Sequence, residues 1–183
     1  MSACKPIARK PSRAEMTALL AFHAIVSGAF IVANLTGDED TYGMHVFSGY
    51  AVLGAIGLRV AAGVLAPAGS PLRLPRPSVA AVAGWLRRLF TGDAKARAER
   101  SPLTAWMSAA LLIGVGIAAA TGALADFFVK VEHLHKEIGE ASLFLILAHI
   151  SLVFALHGLK RIPSDIASRC TAWLSTISNR VIP

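Results

Sequence analysis

Apolar residues along this chain fall in long, nearly unbroken blocks, unlike the period-two alternation of a half-buried strand or the narrow stripe of a surface helix. The first block covers 16–35, after Lys5, Arg9, Lys10 and Arg13, and closes at Thr36-Gly37 and the acidic run Asp38, Glu39, Asp40. The second covers 45–66 and stops at Pro67, and the third covers 103–125 after the helix-starting pair Ser101-Pro102. The fourth covers 132–159, where Lys160-Arg161 and then Pro163 end it. A bilayer core takes about 20 apolar residues of helix, so each block is long enough to span. The first is also too long for a cleaved signal peptide and lacks a small-residue cleavage site. The pattern therefore predicts an all-α integral membrane protein, a four-transmembrane-helix bundle forming a single domain over 1–183.

Charge orients the spans. Four Lys and Arg precede the first block, seven lie within 73–100 and four follow from Lys160 onward. The loop 36–44 has none, and 126–136 has Lys130 and Lys136 beside Asp126 and Glu132. Cytoplasmic loops retain positive charge, so both termini and the loop 67–102 are expected to be cytoplasmic. With 55% hydrophobic and 16% charged residues the chain is far from soluble-domain composition. Its net charge of +7 does not indicate nucleic acid, because the basic residues flank apolar blocks and form no stripe with interleaved aromatics.

The loop opens with a rigid Pro-rich piece, and 79–90 then offers an apolar face with Trp85, plus Arg87 and Arg88 for lipid phosphates, which predicts an interfacial helix. The tail 162–183 sets Ile166, Cys170, Trp173, Leu174, Ile177 and Val181 at helical spacing, an amphipathic segment for membrane or partner. Neither Cys4 nor Cys170 belongs to a Cys-x-x-Cys-His pattern, so covalent haem attachment is unsupported.

The candidate chemistry lies in the histidines. Ionisable groups inside spans are expensive and so mark function, and neutral imidazole is a frequent ligand of metals and haem iron. On the fourth helix His135 and His149 are fourteen residues apart, which puts them about 40° apart around the axis and about 21 Å apart along it. His133 falls on another face, and His157 lies near the cytoplasmic end. His45 opens the second span at the depth of His135, and His23 lies about 12 Å into the first span, near the depth of His149. The expectation is two bis-His sites about 20 Å apart along the membrane normal: an outer haem on His45 and His135, and an inner haem on His23 and His149. A closed structural zinc site wants four converging ligands, which these two levels do not supply. Gly49, on the face of His45, is a place for a flat macrocycle to approach or for helices to pack, as is Gly28. Arg59, also on that face, is suited to a propionate of the inner haem or to snorkelling at the membrane edge.

These residues resemble the bacterial cytochrome b-561 family, including the b-type cytochrome subunits of nickel-iron hydrogenases, over about 14–161. The carriers are His23; His45-Val-Phe-Ser-Gly49-Tyr50 followed by Arg59; the Pro-rich loop leading to Ser101-Pro102-Leu103; Thr121-Gly122; and Leu134-His135-Lys-Glu-Ile with His149. The chain departs from that pattern where no Trp follows His23, and where Glu99-Arg100-Ser101-Pro102 replaces a Gly-His-Asn-Pro motif. The resemblance implies two non-covalent b haems on the matching histidines, and residence in the bacterial inner membrane.

The function expected is electron transfer across the membrane between quinone and an extracytoplasmic redox partner, such as a cytochrome c or a dehydrogenase subunit docking at Asp38, Glu39 and Asp40 and at the loop 126–136. Two alternatives stand beside it. One is a superoxide-oxidising quinone reductase drawing its anionic substrate to Lys130 and Lys136. The other is a haem-free membrane anchor of a larger complex.

Overall fold

The structure, a computed structural model, describes residues 10–161. The tail 162–183, Cys4 and Cys170 lie outside the described residues. Within them the secondary structure is entirely helical: α1 (Arg13–Leu35), α2 (Tyr42–Leu65), α3 (Val79–Phe90), α4 (Ala94–Ala98), α5 (Leu103–Ala125) and α6 (Glu132–Arg161). Short 3-10 turns at Glu39–Thr41 and Val129–Val131 lead into α2 and α6. The helices α1, α2, α5 and α6 are long and apolar enough to cross a membrane, and the chain is a multi-pass membrane protein on that ground.

Helix ends follow local chemistry. The first helix starts at Arg13, three residues before its apolar block, because Ser12 and Glu15 form a capping box: Ser12 Oγ accepts from the Glu15 amide and Glu15 Oε2 from the Ser12 amide. Ser78 Oγ caps α3 by accepting from Ala81 N, which fixes that helix at the 79–90 expected from sequence. It ends at Thr91, where Gly92 at φ 80° turns the chain into α4. Large apolar side chains such as Leu20, Ile31, Leu58, Ile113 and Phe154 are exposed, as suits helices solvated by lipid.

The described residues group into two compact units: 10–75 with 111–143, and 76–110 with 144–161. In the first unit, Val52 and Ile56 of α2 and Val115 and Ala118 of α5 are buried. A β-carbon at Gly116 would stand 3.6 Å from Ile56 Cγ2, so α2 and α5 touch there. The Ser142 hydroxyl on α6 donates to Ile138 O at 2.8 Å and lies 3.4 Å from Gly114 O of α5. The Pro-rich piece is tied to helix ends: Ser70 Oγ donates to Glu15 Oε1 at 2.6 Å, and Arg59 Nη1 to Leu72 O.

In the second unit α3 and α4 fold on each other. Trp85 is 4% exposed and donates Nε1 to Ala96 O at 2.8 Å. Trp85 is thus covered by α4 and does not face outward, as the sequence had suggested. Arg88, read from sequence as open to lipid phosphate, is held by Glu99 through both guanidinium arms. This pairing, foremost the hydrogen bond, pushes the Arg88 guanidinium further above its ordinary range.

Candidate functional site

Four helices, α1, α2, α5 and α6, bring His45 and His135 together in the first unit. Their ring centroids are 5.9 Å apart with planes inclined at 68°. Each ring is oriented from another helix: His45 Nδ1 lies 2.8 Å from Ala33 O of α1, and His135 Nδ1 lies 3.1 Å from Ala118 O of α5. A carbonyl oxygen can only accept, so Nδ1 carries the proton in both rings and Nε2 is left as the basic nitrogen. Thr121 Oγ1, which donates back to the Ile117 and Ala118 carbonyls at 2.9 Å, stands 3.4 Å from the same Nδ1 of His135.

Clearance for His135 comes from Gly122. A β-carbon there would stand 2.9 Å from His135 Cε1 and 3.3 Å from Nε2, too close for either to stay in place. On the other side of the pair, the Tyr42 ring lies 6.3 Å from the His45 ring at 17°. Asp126, at the end of α5, accepts from the Tyr50 hydroxyl at 2.9 Å and lies 3.3 Å from that of Tyr42. One carboxylate therefore fastens the first turns of α2 to the end of α5, beside the two imidazoles.

The remaining sequence candidates are distributed differently. His23 is exposed on α1, its Nδ1 donating to Leu19 O of its own helix at 3.0 Å, with Phe22 edge-on at 5.6 Å. His149 is half-buried on the part of α6 that belongs to the second unit. Arg59 holds the Leu72 carbonyl. A β-carbon at Gly49 or Gly28 would meet nothing within 4 Å, so helix packing against described residues does not require glycine at either place. His133 is exposed, 4.0 Å from Glu137 Oε1 one turn on, and takes no part in the pair.

What sequence reading missed is mostly backbone. The carbonyls of Ala33 and Ala118 have no side-chain signature, and Asp126 had been assigned to a docking loop. The adjacency of Thr121 and Gly122, fourteen and thirteen residues before His135, was the one available signal for the clearance.

Chemically, the pair offers two neutral imidazole donors, each with its second nitrogen fixed by a carbonyl. Ligating histidines are oriented in this way, the second-shell acceptor setting tautomer and raising basicity. Among the described residues no group of three or more His, Cys, Asp or Glu is arranged for a metal ion. The described residues bring two imidazoles together here. Fold and site together define a class: a multi-pass helical membrane protein with an oriented histidine pair near the ends of its spans. Set against family models, curated proteins and solved structures, the chain has no match in any of the three comparisons.

Proposed function

We propose that the chain is a dihaem b-type cytochrome that carries electrons across the bacterial inner membrane between a quinone and an extracytoplasmic redox partner. The observation that carries this reading is the His45–His135 pair at 5.9 Å, each ring held by a carbonyl from a different helix. Two imidazoles this close could both donate to one metal, so His45 and His135 would hold the iron of one haem. A two-donor set also fits a metal that brings its own equatorial ligands, as a porphyrin iron does. Gly49 adds to the fit, since the space a β-carbon would enter there is open.

When bound, haem supplies a one-electron iron centre whose potential is tuned by axial ligands, hydrogen bonding and burial. The rest is the chain's own work. His45 and His135 hold the outer site, with Gly122 leaving room for the His135 ring. The inner haem is assigned to His23 and His149 from their matched sequence depths alone, and His23 Nδ1 donates to the Leu19 carbonyl. Basic residues on the loop 67–102 and beyond Lys160 set the cytoplasmic side. The exposed acidic run Asp38, Glu39, Asp40 offers a basic partner its docking charge.

The test is haem per polypeptide in mild detergent, by pyridine-haemochrome and reduced-minus-oxidised spectra, on wild type, His45→Ala and His149→Ala. Two b haems, with each substitution abolishing one spectrally distinct centre, is the expected result. No stoichiometric haem, or one haem indifferent to both changes, overturns the reading in favour of a haem-free anchor.

A further inference from the structure

The second unit contains a cavity of about 230 Å³ lined by Trp85 and Arg97 of the α3–α4 hairpin, by Arg100 and Thr104 at the start of α5, and by His157 and Lys160 near the end of α6. We propose that it binds a phosphate-bearing anion, the headgroup of an anionic lipid being the source that its surroundings favour.

Charge is the first argument. Arg97, Arg100 and Lys160 place three fixed cations on one lining, and Glu99, the carboxylate beside them, is engaged by both arms of Arg88. The cations around the cavity are therefore left without that counter-charge. Second, Nη1 of Arg97 is buried and receives no acceptor from the described residues, whereas buried polar groups are almost always hydrogen-bonded and guanidinium is a donor only. The nearby hydroxyls do not serve it: Ser101 Oγ accepts from Leu103 N at 3.2 Å, and Thr104 Oγ1 donates to Ser101 O at 2.7 Å. An oxyanion with several acceptor oxygens supplies what Arg97 lacks and answers all three cations.

Size and setting select among anions. The cavity is several times the roughly 30 Å³ that a water occupies in the liquid, so it holds more than a small counter-ion. Val153, Leu156 and Leu159 of α6 complete its wall with apolar surface, suited to the glycerol and first methylenes behind a phosphate. Its cations come from the basic segments that the charge pattern assigns to the cytoplasmic side, where lipid headgroups are anionic and basic pockets beside spans bind them. The inference rests on the membrane-spanning topology and is independent of haem.

The experiment uses the full-length protein in mild detergent, titrated with mixed micelles of phosphatidylglycerol, of phosphatidylcholine, or with sodium phosphate, following lipid retention by native mass spectrometry and thermal unfolding by circular dichroism. Wild type is expected to retain phosphatidylglycerol and be stabilised by it, and phosphatidylcholine to do neither. Arg97→Gln should weaken retention roughly tenfold, the loss of one charge-assisted hydrogen bond. The double variant Arg100→Gln/Lys160→Gln changes only exposed side chains and keeps the test open if Arg97→Gln fails to fold. Arg87→Gln, exposed and outside the cavity, should leave retention unchanged. Protection by sodium phosphate as strong as by phosphatidylglycerol, and lost in the same variants, upholds the site with a free anion as its source. Equal retention of both lipids, or wild-type retention by the cavity variants, overturns the proposal.

Discussion

At one end of the first unit Tyr42, Tyr50 and Asp126 fasten α2 to α5, and the imidazoles of His45 and His135 meet with their Nδ1 atoms on carbonyls of two other helices. At the other end Ser12 and Glu15 cap α1, Ser70 reaches Glu15, and Arg59 holds Leu72. Both ends spend polar groups on contacts between segments distant in sequence. Only the first leaves basic nitrogens over once its hydrogen bonds are made. The second consumes its polar groups in holding a Pro-rich connection against helix termini. His23 sharpens the contrast within the same unit, because its Nδ1 is satisfied by its own helix one turn back, an arrangement that needs no tertiary structure. Long-range acceptors make the His45–His135 geometry a property of the fold, and so sensitive to changes that never touch the histidines.

That sensitivity gives the largest expected effect. A valine at Gly122 would place its β-carbon where His135 Cε1 lies 2.9 Å away, with two further methyl groups behind it. On the proposed dihaem reading, Gly122→Val is therefore expected to abolish the same spectral centre as His135→Ala, a complete loss of one of the two proposed haems, while far-ultraviolet circular dichroism keeps its helical signal. Gly49→Ala is the companion, because its β-carbon meets no described atom within 4 Å. If Gly49→Ala lowers haem retention without altering helicity, the macrocycle and not helix packing explains that glycine. Retention of both centres in Gly122→Val would mean that His135 is not seated against α5.

The same contrast marks what was legible in the sequence. Spans were legible because lipid demands apolar side chains on every face of a helix, a signal carried by each residue alone. The third span was placed at 103–125 and α3 at 79–90, both as observed, since Pro102 and Ser78 are local punctuation. The start of α1 was placed at 16 and not at Arg13, because hydropathy counts Arg13 and Glu15 against a span while the Ser12–Glu15 capping box counts for the helix. The shared depth of His45 and His135 was legible from helical rise. The acceptors at Ala33 and Ala118 were not, because every residue carries the same carbonyl and only packing decides which one meets a ring. The α3–α4 hairpin escaped for a related reason: Trp85 looks equally apolar whether it faces lipid or Ala96.

At the loop-holding end the expected effects are energetic and not spectral. A β-carbon at Gly63 would stand 2.8 Å from Leu74 Cγ and 2.9 Å from Arg59 Nη1, so Gly63→Ala must move both. Overpacking of this kind costs about 1–3 kcal/mol. The low end is expected, because the Arg59 head is flexible and only the Leu74 branch resists. Thermal unfolding in detergent should register the loss, and limited proteolysis should cut the 67–75 stretch faster than in wild type. On the proposed dihaem reading the spectra should not change, and a shift in the proposed outer centre would show that the two ends are coupled.

The smallest effect belongs to Ser12→Ala. It removes the acceptor for Glu15 N, 3.1 Å away, and one half of the capping box, a change worth about 1 kcal/mol at an N-cap. Most of that loss should stay local, because the apolar length of α1 is held by the bilayer and not by its first turn. Amide hydrogen exchange at residues 13–16 is then expected to rise several-fold, with exchange beyond the second turn and the unfolding temperature nearly unchanged. The Ser70 contact tests the limit of that locality. Glu15 reaches Ser70 Oγ with Oε1 and the Ser12 amide with Oε2, so a freed first turn also loosens the carboxylate that the Pro-rich piece leans on. Faster exchange at Leu72, whose amide donates to Ser70 Oγ, would show that the cap and the loop act as one unit, whereas unchanged exchange there would confine the cap to its helix.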